Sequence, residues 1–136
     1  MQTAVPDLGA SAEAIQAHYD FGNDFYRLWL DPNMVYSGAL WGEGDDLPAA
    51  QLRKIDHHIA ESRASAARRV LDIGCGWGAV LARLANEYQV PSLTGLTLSK
   101  AQKEWVDAMA IPGCEVRLES WQDHQPQAPY DAIISV

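Results

Sequence analysis

The apolar positions of this chain follow a helical period in three stretches of its first half and then break into alternating strand and helix patterns. Ser11 offers an N-cap, and Ile15 and Tyr19 stand four apart behind it, which predicts a first helix. Phe25, Leu28 and Trp29 share one face of a second short helix, expected from about Asn23 to Leu30 and stopped by Asp31-Pro32. The stretch MVYSGALWGEGDD that follows has three glycines and no period, and reads as a loop. Asp45 or Asp46 caps a long helix to about Arg63, with Leu52, Ile55 and Ile59 as its buried stripe and His57 and His58 beside it. Residues 1 to 10, with Pro6 and Gly9 and no periodicity, predict a mobile leader.

From Arg69 the pattern changes. Val70 to Ile73 is a short apolar run ending in glycines, and Ala79 to Tyr88 predicts a helix with Val80, Leu81, Leu84 and Tyr88 on one side. A strand near Ser92 to Leu96 leads to a helix from Ser99 to about Ala110, which opens with a capping box of Ser99 and Gln102 and ends at Pro112-Gly113. Cys114, Val116 and Leu118 alternate with charged residues as a strand, and AIISV after Asp131 is one more. Strand, helix, strand, helix, strand is the order of a right-handed parallel α/β sheet.

Composition narrows the function classes. A length of 136 residues with 48% apolar and 21% charged positions suits one globular domain. A net charge of -8 repels phosphate backbones, so nucleic acid is not expected as a partner, and membrane contact is expected to be peripheral at most. No apolar run has the length of a membrane span, and the first residues lack the pattern of a signal peptide, so the expected location is cytoplasmic. Cys75 and Cys114 form no Cys/His cluster; they are expected to be reduced core thiols, and no metal site is expected.

The segment with the most chemistry is VLDIGCGWG, where a buried strand runs into a glycine turn and then a helix. Gly74, Gly76 and Gly78 let the backbone bend and approach a ligand, while the helix behind presents unpaired N–H groups. A dinucleotide site would read GxGxxG; here the spacing is GxGxG, and Asp72 ahead of it places a carboxylate where a cationic amino group can sit. The ligand expected is one with an ammonium and an adenosine.

In order along the chain, HYDFGNDFYRLWLDPNMVYS, VLDIGCGWG, GLTLSKAQ and YDAIISV resemble S-adenosylmethionine (SAM) dependent methyltransferases of the cyclopropane fatty acid synthase type, which include the mycolic acid cyclopropane synthases. The resemblance spans about Gln16 to Val136. It implies a class I, Rossmann-like parallel sheet in the order 3-2-1-4, cut off after the fourth strand. Residues 11–66 would form a helical segment over the cofactor site and residues 67–136 the first half of the SAM-binding domain. It further implies that Tyr36 and Ser37 hold the methionine end of SAM, that Gly74, Cys75 and Gly76 pass beneath it, that Thr97, Leu98 and Gln102 line the adenosine side, and that Trp121 and Gln122 flank the adenine. Tyr19 matches a family position near the transferring methyl. Each has a structural alternative: Tyr19, Tyr36 and Trp121 as packing aromatics, Asp72 as a cap on the turn, Gln102 as part of its capping box.

By the same resemblance, the activity is methyl or methylene transfer from SAM to an alkene carbon of an acyl or isoprenoid-like lipid, leaving S-adenosylhomocysteine (SAH), with bicarbonate as base in the complete enzyme. Many family members read Tyr-Ser-Cys where this chain has Tyr36-Ser37-Gly38, beside the bicarbonate pocket, and several carry an acid in place of Gln122. A small-molecule C- or N-methyltransferase and a noncatalytic SAM-binding module therefore stay open. The chain ends within an apolar run, so it reads as a fragment whose last strand, an uncovered edge, favours self-association.

Overall fold

The computed structural model describes residues 11–19 and 21–136, apart from the side chains of residues 18 and 19. The leader expected over residues 1 to 10 and the side chain of Tyr19 lie outside the described residues.

Among the described residues three α-helices precede the sheet, α1 (Ala12–Tyr19), α2 (Gly22–Arg27) and α3 (Leu47–Glu61), followed by a single 3-10 turn over Ala64–Ala66. Ser11 starts α1 by accepting the Ala14 N–H on its hydroxyl at 3.1 Å. Of the two candidate caps for α3 it is Asp46 that accepts the Ala49 N–H, at 2.9 Å; Asp45 instead accepts from Gly42 N–H at 2.7 Å and from Arg53. The second helix corrects the expected burial. Phe25, Leu28 and Trp29 are exposed, and the residue that goes into the core is Tyr26, 2% exposed and packed with Met34 and Trp77. This helix ends at Arg27, three residues earlier than the apolar run suggested.

The second half alternates β1 (Arg69–Ile73), α4 (Ala79–Asn86), β2 (Ser92–Thr97), α5 (Lys100–Met109), β3 (Cys114–Leu118) and β4 (Ala132–Ile134). All pairings are parallel, in the order β3-β2-β1-β4. The register aligns Val70 with Leu93 and Ala132, and Leu93 with Cys114, so these side chains share one face of the sheet. That face packs on Leu81 and Leu84 of α4, Val106 of α5, and Ile55 and Ile59 of α3 to make the core. Leu71, Leu96 and Ile133 belong to the opposite face; the first two are buried, but Ile133 is 57% exposed.

Local contacts fix how the layers meet. The Asp56 carboxylate on α3 holds Arg83 of α4 in a two-point pair at 2.8 and 2.9 Å and accepts from the Tyr88 hydroxyl at 3.0 Å. After β3 the chain crosses to β4 through residues 119–131, where His124 is held between Glu119 at 2.6 Å and the Tyr130 hydroxyl at 2.9 Å. Asp131 then accepts the backbone N–H of both Arg68 and Arg69 at 2.9 Å, tying the start of β4 to that of β1.

Candidate functional site

At the C-terminal end of β1 the chain turns through Gly74 (φ +70°), Gly76 (φ +54°) and Gly78 (φ +86°) into α4. Cys75 N–H donates to Leu96 O at 2.9 Å, which ties this turn to the end of β2. A Cβ built on Gly74 or Gly76 would meet no atom within 4 Å, so both leave open space above the backbone. At Gly78, by contrast, a Cβ would strike Val106 of α5 at 2.9 Å; this glycine is required by helix packing.

The open space is a cavity of about 150 Å³ that brings together Tyr36, Ser37, Asp72, Gly74, Cys75, Gly76 and Gln102. Asp72 in its lining is 2% exposed, and among the described residues its Oδ2 has no hydrogen-bond donor. Removal from water pushes its carboxyl up from 3.8 to about 7. A buried carboxylate with an orphaned oxygen is costly unless a cation comes to it. Burial also pushes the neighbouring Cys75 thiol well up, so its sulfur is an unreactive wall of the cavity.

Thr97 and Gln102 are linked in an arrangement other than the expected box. Ser99 Oγ accepts the Gln102 N–H at 3.3 Å, but the Gln102 side chain does not return to the Ser99 N–H. Thr97 stands between them: its Oγ1 accepts the Ser99 N–H at 3.1 Å and donates to Gln102 Oε1 at 2.7 Å. Thr97, Leu98, Trp121 and Gln122 are not among the residues lining the cavity. Trp121 and Gln122 sit in the turn after β3, where Trp121 is 58% exposed and Gln122 N–H donates to Ser120 Oγ at 3.2 Å.

Several residues of the site escaped sequence reasoning. Trp77 is buried against the cavity, with its Nε1 donating to Asn23 Oδ1 at 2.8 Å; Asn23 in turn donates to Ala101 O at 3.3 Å, so α2 is pinned to the start of α5. The Tyr36 ring lies 5.2 Å from Trp29 and 6.5 Å from Trp77, centroid to centroid, within an aromatic cluster that reaches from the cavity to the surface. From α3, Gln51 Nε2 donates to Ser37 O at 2.9 Å and Lys54 Nζ donates to Ser37 Oγ at 2.5 Å. Both lie in buried positions of α3 at the spacing of Ile55 and Ile59, and polar residues at stripe spacing were the available signal. Among the described residues, no group of three or more His, Cys, Asp or Glu side chains is placed to hold a metal ion, and no helix is long and apolar enough to cross a membrane.

The sequence pattern of the family described as mycolic acid cyclopropane synthetase matches residues 7–136. Cyclopropane mycolic acid synthase MmaA2 of Mycobacterium tuberculosis is 41% identical over 138 residues, which cover 97% of this chain and 47% of that protein. The chain thus spans about half the length of the curated relatives it matches. Among solved structures, mycolic acid cyclopropane synthase CmaA1 complexed with SAH and CTAB superposes with a TM-score of 0.86 at 35% identity, over 96% of this chain and 47% of that one. Coclaurine N-methyltransferase bound to N-methylheliamine and SAH gives 0.81 at 25% identity, over 90% and 37%.

Proposed function

The chain belongs to the mycolic acid cyclopropane synthetase family, and from that premise we propose that it binds SAM, or SAH as product, in the cavity at the C-terminal end of β1. The whole protein is then a SAM-dependent methyltransferase acting on an alkene carbon of an acyl or isoprenoid-like lipid. The observation that carries the cofactor assignment is Asp72: a buried carboxylate, its Oδ2 without a hydrogen-bond partner among the described residues, on a residue that lines a cavity floored by two open glycines. An α-ammonium group supplies the missing partner, and Gly74 and Gly76 let it come close. A volume of about 150 Å³ suits the amino-acid end of the cofactor. Its adenosine then extends over the ends of β2 and β3, toward Thr97, Leu98, Trp121 and Gln122. Because Thr97 already donates to Gln102 Oε1, the Gln102 NH₂ is the group of that amide left for the ligand.

When bound, SAM supplies a sulfonium methyl carbon that is electrophilic without a metal. The chain's own residues orient it and keep water away. Trp77 and Tyr36 present aromatic faces beside the cavity, suited to a cationic centre. The resemblance of the HYD motif to the family supports a role for Tyr19 at the transferring methyl. Phe21, Phe25, Leu28, Trp29, Leu40 and Trp41 expose apolar surface on the segment that carries Tyr36, which supports an apolar acceptor and at most peripheral contact with a membrane. Gly38 is exposed and offers no side-chain donor, and no step is assigned to bicarbonate.

Methyl-labelled SAM incubated with the protein and cell extracts tests the acceptor. Label is expected in lipid; label confined to water-soluble amines or phenols refutes the lipid reading. That outcome would favour a small-molecule methyltransferase, a second reading supported by the likeness to coclaurine N-methyltransferase and by Gly38.

A further inference from the structure

A free α-amino acid end carries two charges, and the proposed cavity meets only one of them directly, through Asp72. The other charge has a counterpart set back from the cavity wall. Lys54 is 6% exposed, and among the described residues no carboxylate lies within ion-pair distance of its ammonium. Among the described residues its hydrogen-bond acceptor is Ser37 Oγ. The nearest acid in charge terms is Asp31, whose two oxygens already accept the N–H groups of Asn33 and Val35 at 3.0 and 2.8 Å. Burying an ammonium without an anion is unfavourable, and packing alone would be served better by a neutral side chain.

The backbone of the 35–37 loop needs no lysine to hold it. Gln51 Nε2 already donates to Val35 O at 3.5 Å and Ser37 O at 2.9 Å. What Lys54 adds is direction. An ammonium has three donors and no acceptor, so the Ser37 oxygen must accept from it, and the Ser37 hydroxyl hydrogen is left to donate elsewhere. Ser37 lines the cavity. A hydroxyl that accepts from a cation is a stronger donor, suited to an anionic oxygen.

We infer that Lys54 is a positioning residue for the carboxylate of the cofactor's amino-acid end, acting through Ser37 while Asp72 takes the ammonium. The inference rests on the SAM reading above. It makes the two buried charges, one on β1 and one on α3, a matched pair for a zwitterion, and assigns Lys54 to recognising the carboxylate.

The test compares SAH with decarboxylated SAH, which keeps the ammonium and lacks the carboxylate, by calorimetric titration of the wild type, Lys54→Met and Ser37→Ala. Lys54→Met is expected to weaken SAH by about tenfold or more while changing decarboxylated SAH by less than about twofold, a loss typical of removing a charge-assisted contact. Ser37→Ala, at an exposed loop position whose backbone Gln51 still holds, should give the same selective loss, and Lys54→Gln, which keeps a donor without the charge, replaces Lys54→Met if the latter does not fold. The double variant should be little worse than either single one, since the two act as a unit. Equal weakening of both ligands, or no weakening of SAH, overturns the role of Lys54. Failure of the wild type to bind SAH at all overturns the cofactor reading and this inference together, and so separates the two failures.

Discussion

Asp72→Asn should make the ligand-free protein more stable at neutral and alkaline pH while weakening the ammonium binding proposed for this carboxylate. The Asp72 carboxyl is raised from 3.8 to about 7 by burial, so the folded chain holds this proton over a range where the unfolded chain has lost it. A raised acid of this kind stabilises the fold below about pH 4, and the benefit is lost as pH rises to about 7. The shift of about 3 units sets an upper limit of about 4 kcal/mol for the cost of an ionised Asp72 at about pH 8. Asn keeps the shape and removes the charge. Urea unfolding should therefore show Asp72→Asn more stable than wild type by about 2–4 kcal/mol near pH 8 and within about 1 kcal/mol near pH 4. Asp45, Asp56 and Asp131 are held below their usual value by hydrogen bonds to Arg53, to Arg83, and to the backbone N–H groups of Arg69 and Arg68 respectively; they act at lower pH with the opposite sign and cancel in the comparison. Saturating SAH should flatten the wild-type slope, since the ammonium stabilises the carboxylate. Equal pH dependence in the two proteins would mean that ionising Asp72 costs the fold nothing.

Two further outcomes follow from the packing. Gly113→Ala should destabilise the fold by about 2–4 kcal/mol in denaturant unfolding, because its φ of +68° disfavours a side chain and the added Cβ would lie 2.3 Å from the Pro91 carbonyl oxygen; a change below about 0.5 kcal/mol would contradict the geometry. We propose that β4, which pairs only with β1 among the described residues, pairs with a second copy of the chain; Ile133→Lys should then lower the mass seen by light scattering with little effect on the melting temperature, and a wild type that is already monomeric, or an unchanged mass, would refute the proposal.

Much of the sheet was legible because its signals are local. The change from helical to strand period at Arg69, the glycine run and the Ser99 cap each act within a few residues, and all three stand where the pattern put them. Asp72 was legible for the same reason, since its strand and turn are contiguous. The aromatic segment was not. Phe25 and Tyr26 are neighbours of similar character, and only the positions of Met34 and Trp77 decide that Tyr26 is the one buried. Lys54 escaped notice because its partner Ser37 is 17 residues away on a loop with no period. The extent of β4 was overread for a different reason: apolar character continues to Val136, but the ladder with β1 ends at Ile134.

Calorimetric titration of the protein with SAH beside NAD decides whether the cavity at the end of β1 is a SAM site. Saturable SAH binding is expected, which Asp72→Ala removes and which Gly76→Val removes by placing branched carbons in the space now open above the turn, with NAD binding far weaker. NAD bound as tightly as SAH, or SAH binding untouched by Asp72→Ala, would contradict the SAM assignment.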